Sequence, residues 1–247
     1  MIIMSFVVLS FTKQYPSDLT LTLTHVKKTI GMNGSKYLMN SLIISLFVAV
    51  LGTSFSFFIA IYSTRINTVL SKLLHVICIV SIAIPGIVLG LAYVFFFKGS
   101  ILYGTFVLLV LVNITHFIAS PYIMMVNTLR KINENIEIVG ETLGVGRFRI
   151  IRDVLIPQTK STLIEMVSYL FVNSMITISA ISFLATTVNK PFSLMINQFE
   201  QLMIIECSAV VSILLLVTNG FIKIATFAIK KRLQEKDDKY VPNEITV

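Results

Sequence analysis

Long uncharged stretches separated by short polar ones dominate the pattern of residues along this chain. Four stretches contain no Asp, Glu, Lys or Arg: Tyr37–Thr64, Leu73–Phe97, Gly99–Leu129 and Met166–Asn189. A fifth stretch, Cys207–Ile229, is interrupted only by Lys223. A helix needs about 20 apolar residues to cross the roughly 30 Å hydrocarbon core of a bilayer. The pattern therefore predicts an all-α, polytopic transmembrane helix bundle with five full spans.

The amino-terminal stretch Met1–Thr12 is also apolar, but it is too short to span. Twelve helical residues reach only about 18 Å at 1.5 Å per residue. We expect a short first helix here, and whether it crosses decides the side on which the amino terminus lies. The domain organisation that follows is one transmembrane domain over residues 1–229, with an inserted loop at 130–160, and a polar tail at 230–247.

Composition agrees with a membrane protein. Hydrophobic residues make up 55% of the chain and charged residues 13%, against about 25% charged in soluble domains; the mean hydropathy is +0.88. The net charge of +8 could suggest a nucleic-acid partner. In a chain this hydrophobic, the usual excess of Lys and Arg in cytoplasmic loops explains the charge better, so we predict no nucleic-acid partner. On this rule the inserted loop and the carboxyl-terminal tail are cytoplasmic, in a multi-pass protein of the cell membrane surrounded by lipid.

The inserted loop has the signals of a short amphipathic helix. Asn133 is a suitable N-cap, and Glu134 and Glu137 stand in the first turn, where carboxylates favour the positive end of the helix dipole. Gly144 predicts the end of this helix, and Gly146 predicts a loose turn after it. One apolar stripe is expected on the helix at positions i, i+3 and i+7: Ile136, Val139 and Leu143.

A second amphipathic helix is predicted from about Arg147, with Pro157 breaking it before the next span. Its apolar face would carry Phe148, Ile151 and Leu155. Amphipathicity alone favours a hairpin lying at the lipid headgroups. The other interpretation is that a protein outside the bilayer grips this loop.

The spacing within the loop resembles the cytoplasmic EAA loop of permease subunits in binding-protein-dependent ABC importers. Gly144 follows Gly140, and Val154-Leu-Ile-Pro157 follows Gly144, at the intervals of that motif, whereas Ile138-Val-Gly140 replaces its Glu-Ala-Ala. The resemblance implies that the loop carries a coupling helix that sits in a groove of the ATPase subunit. The coupling residues that it implies are Glu137, Gly140, Glu141, Leu143, Gly144, Arg147, Phe148 and Pro157.

Two further segments are similar to ABC permeases. Ile84–Tyr93 resembles a segment of permeases for ferric iron, polyamines and phosphonates, and Asn173–Ala180 resembles one of 2-aminoethylphosphonate permeases. The implied solute is a phosphonate first and ferric iron second. Either close helix packing or a role in the translocation path explains the unusual residues in these segments: Pro85, Gly86, Gly90, Asn173 and Thr177.

The chain lacks motifs for chemistry of its own. It has no G-x-x-x-x-G-K-[ST] phosphate loop and no Cys/His metal spacing, so we predict no catalytic residue, metal or cofactor. The resemblance implies ATP-binding ABC subunits, a second permease chain (in a homodimer or heterodimer) and an extracytoplasmic solute-binding protein as partners. The alternatives are an ion-coupled secondary transporter or channel subunit, and an intramembrane enzyme built on His116.

Overall fold

The computed structural model describes residues 2–14, 16–133 and 135–238, most of which are helical. The α-helices of these residues are α1 (Ile2–Phe11), α2 (Thr24–Gly31), α3 (Gly34–Arg65), α4 (Val69–Val80), α5 (Gly86–Phe97), α6 (Phe106–Phe117), α7 (Ala119–Leu129), α8 (Asn135–Thr142), α9 (Arg147–Ile150), α10 (Ile156–Ile176), α11 (Leu194–Gln201) and α12 (Ile205–Asp238).

Four short elements among the described residues are regular but not α-helical. A 3₁₀ turn covers Ser81–Ala83, and a π-helical segment covers Ile151–Leu155. Strands β1 (Thr12–Gln14) and β2 (Asp18–Leu21) form an antiparallel hairpin between α1 and α2. The prediction of an all-α chain is therefore wrong for this hairpin. The alternation of leucine and threonine from Leu19 to Leu23 is a strand signal that the sequence analysis did not use.

Among the residues that the structure describes, two helices, α3 and α12, are each long and apolar enough to cross a membrane, and the number rises to four if two bent pairs each count as one span. The first pair, Val69–Ala83 with α5, bends by 115°, and the second, α6 with α7, bends by 54°. The two uncharged stretches that predicted straight spans here are therefore broken helices. Pro85 explains the sharper bend, because it has no N–H to continue the helical hydrogen bonds.

The span predicted at Met166–Asn189 is not one helix. Helix α10 begins earlier, at Ile156, and ends at Ile176; residues 177–193 then form turns without regular structure. Neighbouring side chains bind this backbone: Asn40 Nδ2 donates to the carbonyls of Val188 (2.9 Å) and Lys190 (3.1 Å). Irregular backbone at membrane depth is tolerated where protein buries and satisfies it.

Helix α12 packs against both α1 and α10. The short first helix that was predicted is α1, and it lies against α12. Helix α12 continues past the predicted end of the span through nine residues of the polar tail, Lys230–Asp238. An ion pair between Lys230 and Glu165 ties this extension to α10.

Helix α3 forms the centre of the bundle. It crosses α10 closely at Gly52, where an added methyl group would lie 2.9 Å from Leu170 Cδ1. One cluster of buried apolar residues joins α3 to α6, α10, the irregular segment and α12. A second cluster, nearer the inserted loop, joins α3 to α4, α7 and the start of α10.

Candidate functional site

The first helix of the inserted loop begins as predicted. The side-chain oxygen Oδ1 of Asn133 accepts the N–H of Asn135 at 3.0 Å, at the first residue of α8. Glu137 stands in the first turn. Glu134, which was also expected there, lies outside the described residues.

The end of α8 is a Schellman motif centred on Gly144. Gly144 has a φ of +73°, and its N–H donates to the Glu141 carbonyl at 3.0 Å. The N–H of Val145 donates to the Gly140 carbonyl at 2.9 Å. Only glycine adopts this left-handed conformation without strain, so the role predicted for Gly144 is confirmed. Gly146 differs, because its φ is −64° and a side chain there would meet open space.

Helix α8 and α9 fold against each other across this turn. A methyl group on Gly140 would lie 2.7 Å from Ile150 Cδ1, so the glycine permits a close approach. Arg147 Nε donates to Glu141 Oε1 at 2.6 Å, and both side chains are exposed. This hydrogen bond and the Glu141 charge raise the pKa of the Arg147 guanidinium. The loop is therefore a defined helical hairpin.

A second ion pair fixes the hairpin to the helix bundle. Arg65 Nε, at the end of α3, lies 2.7 Å from Glu137 Oε1, and the Arg65 side chain is only 7% exposed. Its Nη2 also donates to the carbonyls of Leu129 and Ile132, each at 3.2 Å. Arg65 thus joins α3, the end of α7 and α8. The sequence did not reveal this pair, because nothing local links residues 65 and 137.

The apolar stripe of α8 faces away from the rest of the chain. Ile136, Val139 and Leu143 are all exposed, and Leu143 is 75% exposed. Phe148, on α9, is exposed to the same extent, 75%. Contiguous exposed apolar side chains typically mark an interaction surface. We call Ile136, Val139, Leu143 and Phe148 the loop stripe.

Pro157 does not break the chain as predicted. It is the second residue of α10, and the α9, π-helical and α10 segments follow one another without a break in helical conformation. The N–H of Ile156 bonds to the Ile151 carbonyl, five residues back. This wider turn accommodates the proline, which has no N–H to donate. The loop is consequently continuous with a helix of the bundle.

The residues predicted to line a path meet at the helix breaks. Gly86 and Gly90, just after the bend at Pro85, pack on the irregular segment that follows α10. A methyl group on Gly90 would lie 2.6 Å from the Ala180 carbonyl oxygen, and one on Gly86 would collide with Ser179. The close approach expected of this glycine pair is therefore present.

Asn173 and Thr177 both lie at the carboxyl-terminal end of α10. Asn173 Nδ2 donates to the Tyr169 carbonyl of its own helix at 2.8 Å. Thr177 is buried at the end of α10, and its carbonyl accepts the Ser193 hydroxyl at 2.6 Å. In the conformation described, both residues stabilise the point where α10 stops.

His116 lies beside the same breaks. An added methyl group on Gly86 would be 3.2 Å from the His116 ring, and α6 ends one residue after His116. Its Nδ1 is buried without a hydrogen-bond partner among the described residues. A cavity of about 210 Å³ adjoins the ring, with polar lining from Ser81, Ser120 and Tyr169. Three interrupted helices thus converge on one small polar cavity.

Comparison with known proteins gives relatives among permeases. The chain is 24% identical over 207 residues to the putative ferric transport system permease protein FbpB 1 of Haemophilus influenzae, covering 81% of this chain and 33% of that protein. It is 26% identical over 183 residues to the ferric transport system permease protein FbpB of Actinobacillus pleuropneumoniae, covering 72% and 27%. The chain thus spans about a third or less of the length of these relatives.

Solved ABC transporters share the fold. A bacterial transporter involved in the import of the acidic polysaccharide alginate matches with a TM-score of 0.78 at 13% identity, over 93% of this chain and 89% of that one. The methionine transporter MetNI, in inward-facing conformations, matches at 0.67 and 15% identity, over 84% and 98%. The family model for the inner membrane component of binding-protein-dependent transport systems covers residues 52–235, well over half of the chain. The chain belongs to this family of transport permeases.

Proposed function

We propose that this chain is the permease subunit of an ABC importer, and that its inserted loop docks on a separate ATPase subunit in the cytoplasm. The observation that carries the proposal is the loop stripe, an exposed apolar surface on a hairpin that an ion pair fixes to the helix bundle. A hairpin lying in lipid would also expose such a stripe. Membership of the permease family favours the ATPase, and it disfavours an ion-coupled transporter or channel.

The loop is built to transmit force in two ways. The Arg65–Glu137 pair links α8 to the ends of α3 and α7. The helical continuity from α9 into α10 links the loop to the bundle core. A displacement of the loop by ATP-driven closure of the ATPase would therefore move α10 as a unit. Because α10 ends at the helix breaks, that movement would reach the centre of the bundle.

We assign the translocation path to the region of those breaks, including Pro85, Gly86, Gly90, Asn173 and Thr177, together with His116. Discontinuous helices near the middle of a membrane bundle commonly form solute sites in transporters. His116→Leu removes the polar ring and keeps a side chain of similar bulk. We expect it to lower solute uptake while leaving recovery of the assembled transporter unchanged; equal uptake would remove His116 from the path.

Several partners follow from this function. Much of the apolar surface of α3, including Leu46, Phe47 and Phe58, is exposed in the single chain. Lipid and a second permease chain, identical or different, would cover such surfaces in the cell membrane. An extracytoplasmic solute-binding protein would deliver the solute, and hydrolysis of ATP would take place on the partner ATPase.

For the solute we now place ferric iron before a phosphonate. The sequence resemblance suggested 2-aminoethylphosphonate first, but the two relatives reported above are named for ferric transport. Both relatives are distant, so a direct comparison is required. Binding by the partner solute-binding protein, measured side by side with ferric iron, 2-aminoethylphosphonate and a polyamine, distinguishes the candidates. Tightest binding of ferric iron would support our choice, and tighter binding of either other solute would overturn it.

Co-purification tests the docking itself. Leu143→Asp places a charge in the loop stripe, and Ile101→Asp places one at a 97% exposed site between α5 and α6. We expect Leu143→Asp to abolish recovery of the partner ATPase subunit, because a carboxylate cannot enter an apolar groove without a partner. Ile101→Asp should leave recovery intact. Equal recovery with both variants would contradict docking through the stripe.

A further inference from the structure

We propose that a second polar cavity, at the end of the bundle that carries the inserted loop, is a binding site for a phosphate-type anion. The cavity has a volume of about 490 Å³ and lies between the end of α3, the start of α4 and the end of α7. We call it the basic pocket. Its charged and polar lining includes Lys72, His75, Arg130, Ser63, Asn67 and Ser71.

The pocket carries positive charge that the protein does not neutralise. None of its lining residues is acidic, and within the described part of the chain neither Lys72 nor Arg130 forms an ion pair. Arg65 also lines the pocket, but the Glu137 carboxylate offsets its charge. Two free cations facing one cavity repel each other, and a bound anion would relieve that repulsion.

Fixed hydrogen-bonding groups surround these cations. His75 Nδ1 lies 2.6 Å from the Tyr122 hydroxyl, which lies 2.7 Å from the Ser63 hydroxyl. This chain orients the imidazole and leaves its Nε2 for a ligand. The amino terminus of α4 adds the positive end of a twelve-residue helix, capped reciprocally by Thr68 and Ser71. Cations, hydroxyls and a helix terminus together are the usual surroundings of a bound phosphate group.

An apolar surface adjoins the pocket. Along α4, the side chains of Val69, Leu73, Val76 and Ile77 are all exposed. A phospholipid has the matching pair of features, because its phosphate could enter the pocket while its acyl chains lie along α4. Basic pockets between transmembrane helices commonly hold anionic headgroups. Inorganic phosphate from solution has the same anionic chemistry without the acyl chains, so the experiment must separate the two sources.

The test uses the full-length chain in nanodiscs of phosphatidylcholine with a minority of phosphatidylglycerol, and native mass spectrometry to count retained lipids. The pocket variant is Lys72→Gln with Arg130→Gln. The control variant, Lys98→Gln with Lys131→Gln, removes the same charge from exposed residues outside the pocket lining. Equal thermal transitions of both variants in pure phosphatidylcholine would show that both are folded.

We expect the native chain and the control to retain phosphatidylglycerol selectively, and the pocket variant to lose that selectivity by about tenfold or more. In a second arm, inorganic phosphate is added to the chain in phosphatidylcholine alone. A rise in Tm there, absent from the pocket variant, would assign the site to a free anion instead of a lipid. If both arms give the same result for the native chain, the control and the pocket variant, the proposal is overturned. Neither arm depends on ATPase docking or on the solute.

Discussion

The inserted loop and the irregular segment at 177–193 both interrupt long helices, but they treat their surfaces in opposite ways. The loop pairs Glu141 with Arg147 and Glu137 with Arg65 of α3, and it exposes its apolar side chains, such as Leu143 and Phe148. The irregular segment buries apolar side chains, such as Ile181 and Leu184, and its backbone is hydrogen-bonded by the side chains of Asn40 and Ser41 on α3. One region is incomplete without a partner, and the other is completed within the chain.

This contrast separates two kinds of importance. Changes in the irregular segment should act first on the stability of the chain, because they leave buried polar groups unpaired. Changes in the loop stripe should act on assembly and leave stability nearly unchanged. The variants of Asn40, Glu137 and Gly144 described below each have a matched control within the same element or the same turn.

The largest effect on stability is expected from Asn40→Ala. This change removes the donor for the Val188 and Lys190 carbonyls and leaves two backbone groups poorly satisfied, at a cost of about 3 kcal/mol. Thermal unfolding in detergent should show a clear fall in Tm. The control is Ser54→Ala on the same helix, whose exposed hydroxyl bonds only to its own helix at Val50. If both variants unfold alike, the irregular segment does not depend on Asn40.

Phe148→Ala should weaken ATPase binding and leave the stability of the chain nearly unchanged. The side chain is largely exposed, so its loss should change the Tm little. As an aromatic anchor in a partner groove, it should contribute about 2 kcal/mol to ATPase binding, or roughly 30-fold in affinity. Titration of the purified permease with the ATPase measures this directly. A marked fall in Tm with normal affinity would place Phe148 among the stabilising residues instead.

The two ion pairs of the loop should differ in how much they stabilise α8. Glu137→Gln leaves the shielded Arg65 guanidinium without its carboxylate, whereas Glu141→Gln disrupts a solvent-exposed pair. We expect hydrogen exchange of the α8 amides to accelerate about tenfold in the first variant. In the second, acceleration should stay near twofold, since exposed pairs contribute little. Similar exchange in both variants would show that Arg65 does not anchor the hairpin.

The smallest effect on local stability is expected at the turn between α8 and α9. Gly144→Ala forces a side chain into the left-handed region, at a cost of about 1 kcal/mol. Gly146→Ala meets open space at an ordinary φ and should be neutral. Hydrogen exchange at the end of α8 compares the two. A neutral Gly144→Ala would mean that the helix end is set by other contacts.

Local signals in the sequence predicted local structure well. Asn133 and Gly144 mark the two ends of α8 because capping involves residues only a few positions apart. The helix break predicted at Pro157 was wrong, because a π-helical turn upstream accommodates the proline without breaking the helix. Nothing in the sequence indicates that adjustment.

Contacts between distant residues could not be predicted in this way. Residues 177–193 look like the end of an apolar span. Their irregular backbone is made acceptable in part by residues far away in the sequence, such as Asn40, some 148 positions from Val188. The Arg65–Glu137 pair and the basic pocket likewise join residues far apart in the sequence. These features depend on how the helices pack, which hydrophobic periodicity does not specify.

Site-specific cross-linking tests the central claim most directly. Both native cysteines, Cys78 and Cys207, are buried, so Leu143→Cys introduces one accessible thiol in the loop stripe and Ile101→Cys introduces one between α5 and α6. In intact membranes, we predict that Leu143→Cys cross-links to the ATPase subunit and resists a membrane-impermeant thiol reagent added from outside, whereas Ile101→Cys does not cross-link to the ATPase. Labelling of Leu143→Cys from outside, with no cross-link to the ATPase, would contradict the account.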